Sequence, residues 1–372
     1  MDFFREPIPN ESNRSLTPQQ EGSAWQKDEG RRRIAFGMLR TDVYTSVLLS
    51  TRPLVTPEEV KLTFPRSDAL WMNSEHLTAE GRLSRQREED SQSLQMPFSD
   101  IVRIFLDRNE PKPELSPVGY ELVLFGLQEA VWRFSHDAEL FPRLTGACLG
   151  DTLFPPTTNP SLDHKPPPTT SNSHSHRRML DLHNDHARLI AALDSWSSAV
   201  NTALASGAYT AHRDTLMSSL LLYRLSMLRL AAPLEDLHHI SYRAASPPTV
   251  SQRILSKTTA WTRSRFCPEA AQQAWDVKTL IEQELLRPQS EQARFNFLAF
   301  CSLHHAAVVL WTVAAMRDLL PKSTAKVPKD RDVQSFLNEC PRLFSLLSPL
   351  GGNSFEASAY RLQACRFPRA AE

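Results

Sequence analysis

Two sets of side chains in this 372-residue sequence have the types and spacing for chemistry. The first is histidine-rich: His174 and His176, then His183 and His186 with Asp185 between them. Residues three apart share a helix face, and imidazoles at that spacing suit a zinc site. His186 also falls on an apolar stripe, which favours a core imidazole, so His183 and His186 stand only as weak metal candidates. In the second set, Cys301 precedes His304 and His305 on one helical stretch. A thiol among Phe297, Phe300 and Leu303 reads as inert core and not as a nucleophile. Neighbouring residues on a helix point about 100° apart, so neither His238-His239 nor His304-His305 can readily turn both rings to one metal. One imidazole of each pair is expected inside and the other outside. The sequence holds no G-x-S-x-G turn, P-loop or G-x-G-x-x-G. No catalytic or cofactor-binding residue is therefore assigned, and the expectation is a protein that is not an enzyme.

A basic triplet, Arg31-Arg32-Arg33, could hold phosphate, but its setting suggests another use. It lies in the stretch from Trp25 to Trp71, the part around which the chain is organised. The first half reads as one long helix with Ile34, Phe36, Met38, Leu39, Val43, Tyr44, Val47 and Leu48 in nearly every angular sector. A helix apolar all round is expected to be surrounded by others. Glu29, Arg33 and Arg40 form its one coherent polar stripe, so the arginines are expected to pair with acidic groups of packed helices. Asp42 stands apart and needs a cationic or N–H partner if buried. Pro53 ends the helix, and Thr56-Pro57-Glu58-Glu59 has the form of a new start, with Thr at the cap and Pro first.

Trp25, Glu29, Arg31, Arg32, Arg33, Asp42, Pro53, Glu58, Glu59, Leu70 and Trp71, at these spacings, resemble the fungal-specific transcription factor regulatory domain. That family is also called the middle homology or xylanolytic-activator-type domain. Phe36 departs from a more usual Trp, Thr51-Arg52 from a Gly or Arg plus Pro, and Arg66 from a frequent Cys. Leu303 to Trp311 is similar to a late helix of the variants that carry C2H2 fingers. The resemblance implies an all-α regulatory bundle in a nuclear protein of RNA polymerase II transcription. DNA would be contacted by a separate zinc finger missing from this chain, with zinc implied only there. It implies further that helices precede Met1, making the chain either a finger-less paralogue or a truncated gene model.

Composition agrees with a globular helical protein: 41% hydrophobic, 23% charged, 11 Gly and 27 Pro. The formal net charge of +0 lacks the basic footprint of a self-sufficient DNA binder. The five cysteines include no C-x-x-C pair, so no finger can be built from them, and they suggest a reducing compartment. No signal peptide is read at the N-terminus, and the longest apolar run, Ala306 to Met316, is shorter than a bilayer requires. No membrane partner is expected. The domain reading is a disordered lead (1–22), a helical C-terminal part of the regulatory domain (23–150), a flexible Pro/Ser/Thr-rich linker (151–178) and a helical C-terminal region (179–372). In the last of these, Leu182, Leu189, Leu193, Trp196, Val200 and Leu204 mark an amphipathic helix that could support a homodimer or a protein partner. A small-molecule effector between helices is the other expected partner. The competing readings are a metal-assisted all-α enzyme and a helical interaction scaffold.

Overall fold

The protein is described here by a computed structural model. The described residues are 4–5, 17–72, 78–92, 94–137, 144, 171–243, 252–317, and 335, 339, 342 and 343. Among them the architecture is all-α, as expected, with eleven helices and a single isolated bridge, Arg5 to Lys61, in place of a sheet. The helices are α1 (Pro18–Leu49), α2 (Asp68–Met72), α3 (Ala79–Gln92), α4 (Phe98–Leu106), α5 (Pro117–Ser135), α6 (Ser171–Ala205), α7 (Arg213–Ala231), α8 (Leu234–Arg243), α9 (Gln252–Thr262), α10 (Phe266–Leu285) and α11 (Phe297–Arg317). The last helices expected from the sequence, over 333–347 and 354–366, lie outside the described residues save for isolated positions.

Packing divides the chain into two compact units, residues 1–129 with 194–210 and residues 130–193 with 211–372. Their borders fall within α5 and α6. The end of the anticipated linker, from Ser171 to Arg178, is the first part of α6, and 151–170 lie outside the described residues. Pro233 separates α7 from α8 as two helices.

In the first unit, α1 is a 32-residue helix with Pro18 at its first position, and the Gln20 side chain accepts the Thr17 N–H. It ends at Ser50, whose positive φ of 53° is a left-handed cap. The Thr56 start is real but short: Pro57–Glu59 is a single 3-10 turn, with Glu59 accepting the Thr56 N–H at 3.1 Å. The following segment carries Val60 and Leu62 into the core, and their carbonyls accept the N–H groups of Ser99 and Phe98. Two orphan donors at the start of α4, which follows Pro97, are satisfied in this way. Phe36, Phe64 and Phe98 form an aromatic cluster with centroids 5.3–6.2 Å apart. A Cβ at Gly126 of α5 would come within 2.6 Å of Val102 and 2.8 Å of Phe98, so the glycine is what lets α4 lie against α5. Trp196 of α6 is fully buried and donates to the Tyr120 carbonyl at 2.8 Å.

The second unit is built on α7, α10 and α11, which pack on one another, with α8 against α11. The last carbonyls of α7 have no helical donors of their own. Buried side chains supply them: Trp261 Nε1 donates to Ala231 and His186 Nε2 bonds Leu230. Arg213 forms a bidentate pair with buried Glu284, which also accepts the Ala293 N–H. Helix α11 is apolar from Phe297 to Met316, longer than the run read from the sequence and, by length and composition, enough to cross a membrane. In this fold 72% of that stretch is buried inside the protein, the condition of a core helix.

Candidate functional site

The motif residues on α1 converge on one carboxylate. Glu29 is completely buried, and its two oxygens are shared by three donors. Arg32 Nη1 reaches Oε2 at 2.9 Å, Arg33 Nε reaches Oε1 at 2.9 Å, and the Arg66 backbone N–H reaches Oε1 at 3.0 Å. Arg33 continues the chain of contacts, pairing with Asp68 at 2.6 Å and donating to the carbonyls of Arg66 and Ser67. Its guanidinium lies 5.1 Å from the Trp71 ring centre, and Trp71 meets Trp25 at 6.2 Å. The two tryptophans that bound the motif thus close over its central ion pairs. A buried carboxylate is tolerable only when its lone pairs are filled, and here they are.

Asp42 finds N–H partners: Oδ2 accepts Leu54 N at 2.7 Å and Val55 N at 2.8 Å, holding the turn that Pro53 introduces. Glu58 is exposed, and Glu59 serves its own turn. The buried Nε atoms of Arg31 and Arg32 make no hydrogen bond among the described residues, while Arg32 engages Glu29 through Nη1. Further along, Arg40 pairs with Glu121 at 2.5 Å and Arg52 with Glu129 at 3.3 Å. Burial raises the Glu121 carboxyl above its ordinary value, against the opposing pull of Arg40. Tyr209, buried beside Tyr120 and Glu121, has its hydroxyl pushed well up by that burial.

The polar stripe of α1 therefore faces inward, and the expectation that the helix is enclosed on all sides is corrected. Ile34, Met38, Leu48 and Leu49 are exposed, while Glu29 and Arg32 are buried. The inner face is mainly apolar, with Ala35, Phe36, Leu39, Val43 and Val47 buried, and its polar edge meets fixed donors and acceptors at residues 66–68. Ion pairs form there, and the surplus aliphatic side chains are left outside. Asp68, Glu121 and Glu129 escaped the sequence reading. The signal for the last two was two carboxylates eight residues apart in the largely apolar stretch from Glu121 to Val131.

The histidine candidates resolve differently. His186 is buried between Phe134 and Phe266, at 5.3 Å from each ring, and is held by the Leu230 carbonyl. His183 is half-buried and the described part of α6 sets no further ligand beside the two. Burial lowers the His186 pKa, only partly opposed by that hydrogen bond. Among the described residues no group of three His, Cys, Asp or Glu side chains is placed to hold a metal ion. His304 and His305, expected one in and one out, both pack on His238 of α8, with ring centres 5.0 and 4.8 Å away. Burial drives His238 to about 3 and His304 to about 4, and holds His305 well below its ordinary value. His305 Nδ1 bonds the Cys301 carbonyl at 2.6 Å, and Cys301 is buried and forms no disulfide. The three imidazoles pack on one another, His304 buried and His238 and His305 half-buried, and each is held toward its neutral form.

Residues 9–112 match the family model described as fungal specific transcription factor domain. The match takes in α1 to α4 and the whole ion-pair clamp, so the resemblance read from Trp25 to Trp71 holds and extends on both sides of it. Among curated proteins, the chain is similar to the zinc finger protein klf1 of Schizosaccharomyces pombe (strain 972 / ATCC 24843). The two are 28% identical over 136 residues, covering 37% of this chain and 16% of that protein. The chain therefore spans under a fifth of the length of that relative. No solved structure matches.

Proposed function

We propose that this chain is the regulatory, non-DNA-contacting region of a fungal-type transcription factor, acting on RNA polymerase II genes in the nucleus. The observation that carries the reading is the family match over residues 9–112, falling on a unit in which the motif charges Glu29, Arg32 and Arg33 pair with one another inside the fold. Arg32 and Arg33 are committed to Glu29 and Asp68, so they serve as a scaffold and not as a phosphate site. Contact with DNA, and the zinc that goes with it, belong in this reading to a separate finger module.

A helical bundle of this kind regulates by having two packings of unequal affinity for an effector or partner protein, whose binding shifts the population between them. The effector is a small molecule or a protein segment received between helices. The test is a fusion of the chain to a heterologous DNA-binding module in fungal cells carrying the matching reporter. Reporter output several-fold above or below that of the module alone, with the fusion in the nucleus, is the expected result. Output identical to the module alone, from a stable fusion that stays outside the nucleus, overturns the reading.

A further inference from the structure

In the second unit the end of α7 is pinned, and α8 beyond it is held in a different way. Trp261 Nε1 donates to the Ala231 carbonyl at 3.0 Å and His186 Nε2 bonds that of Leu230 at 3.1 Å, fixing the last turn of α7. The chain then leaves helical geometry at Ala232 (φ −135°, ψ 136°), and Pro233, without an N–H, breaks the ladder. These two residues make a joint. Beyond it α8 lies against α11 and α9, resting on buried Leu237 and Ile240 and on half-buried His238.

The seat under His238 is itself imidazole. Its ring stacks on His304 at 5.0 Å and meets His305 edge-on at 4.8 Å, and those two lie 6.0 Å apart. Neutral rings pack at such distances, whereas imidazolium rings there repel one another, more strongly in an interior than in water. Among the described residues, the charges that act on the three rings are those of one another and of Arg229 on α7, and all oppose protonation. The Cys301 carbonyl on α11, bonded to His305 Nδ1, is the one contribution that favours it. The carboxylates of α8 act elsewhere: Glu235 on His136, just past α5, and Asp236 on Lys257 of α9 at 4.0 Å. His239 is turned about 100° from His238 on the same helix.

We propose that the three imidazoles are an acid-sensitive clasp, whose protonation releases α8 from α11 about the joint at Ala232-Pro233 while α7, α10 and α11 stay folded. Release returns the rings to ordinary histidine behaviour, so opening takes up protons. The closed state has its full advantage above pH 6.5 and loses it as pH falls below. Between pH 7.5 and 5.5 the opening equilibrium is expected to rise roughly tenfold for each imidazole released, about a thousandfold for three. The inference stands apart from the transcriptional reading, because it is read on the purified chain without DNA or a reporter.

Amide hydrogen exchange of the full chain at pH 7.5 and 5.5, corrected for the intrinsic rate at each pH, tests it. On acidification the α8 amides are expected to lose about a hundredfold or more in protection, and those of α10 less than about tenfold. His238→Leu, and separately His304→Leu, are each expected to reduce the α8 response by about tenfold, with unchanged circular dichroism. Protection of α8 that responds no more than that of α10 overturns the proposal. So does acid exposure of α7, α10 and α11 together with α8, or a folded His238→Leu chain with the full wild-type response. The wild-type comparison decides the matter whether or not the variants fold.

Discussion

Helices α1 and α11 are both long and carry apolar residues on nearly every side, but only α1 adds a set of charges, and the fold seats the two differently. Helix α11 is sunk among α7, α8, α9 and α10, with Leu298, Leu303 and Ala306 to Leu310 fully inaccessible. Its polar groups turn inward to main-chain acceptors, as with Thr312 Oγ1 on the Val308 carbonyl, or join the imidazole cluster as His304 does. Helix α1 buries Glu29 and Arg32 and leaves Ile34, Met38 and Leu49 in water. The difference teaches that apolar residues in every sector do not by themselves decide which side is buried, since α1 buries Ala35, Phe36, Leu39, Val43 and Val47 on the side where Glu29 and Arg32 lie. A matched set of charges does, because an unpaired buried charge costs several kcal/mol and one exposed aliphatic side chain only about 1.5–3 kcal/mol. Helix α11 has no carboxylate or arginine between Phe297 and Met316 to impose such a choice.

The contrast can be broken most sharply on α11. Val309→Asp places an unpartnered carboxylate at a fully inaccessible site and is expected to cost more than about 4 kcal/mol, unfolding the second unit as read by circular dichroism. On the inner side of α1, Glu29→Ala leaves the guanidinium of Arg32 without its carboxylate. A loss of about 3–5 kcal/mol is expected in chemical denaturation followed by the fluorescence of Trp25 and Trp71. Equal stability of the two chains would refute the clamp.

Acid separates the two solutions further. The imidazoles of His238 and His304 have folded pKa values depressed to about 3 and about 4. Their contribution to stability is full above the ordinary value of 6.5 and is lost as pH falls from there toward those folded values. A fall on the order of 3 kcal/mol is expected from His304 between pH 6.5 and 4, at about 1.4 kcal/mol per pH step. The double variant His238→Leu with His304→Leu is expected to flatten that limb in pH-dependent denaturation, and an unchanged limb would show that the cluster does not drive it. The smallest effect belongs to the outer side of α1. A Cβ at Gly37 meets nothing within 4 Å among the described residues, and Gly37→Ala is expected to stabilise the helix by about 1 kcal/mol, seen as a rise in Tm.

Much of the local structure was legible. Pro53, Pro57 and Pro117 punctuate the helices where backbone chemistry requires, and the motif charges were expected to be matched within the fold. The need of Asp42 for a cation or an N–H was also readable, though not that the Leu54 and Val55 backbone would answer it. Helical periodicity could not show that Arg40 and Arg52 would reach Glu121 and Glu129, some 80 residues away, nor that His238 would stack on His304. Those pairings depend on which helices become neighbours, and no local spacing encodes that.

By itself the sequence determined the helical character of the chain, the motif from Trp25 to Trp71 and the absence of cysteine pairs for a finger. Each of these is carried by residue type and near-neighbour spacing, which act before any long-range contact exists. Only the tertiary structure decided which side of α1 is its inside. The decision rests on the backbone at residues 66–71 presenting Arg66 N–H and the Arg66 and Ser67 carbonyls to the Glu29–Arg33 pair, a partner more than thirty residues along the chain.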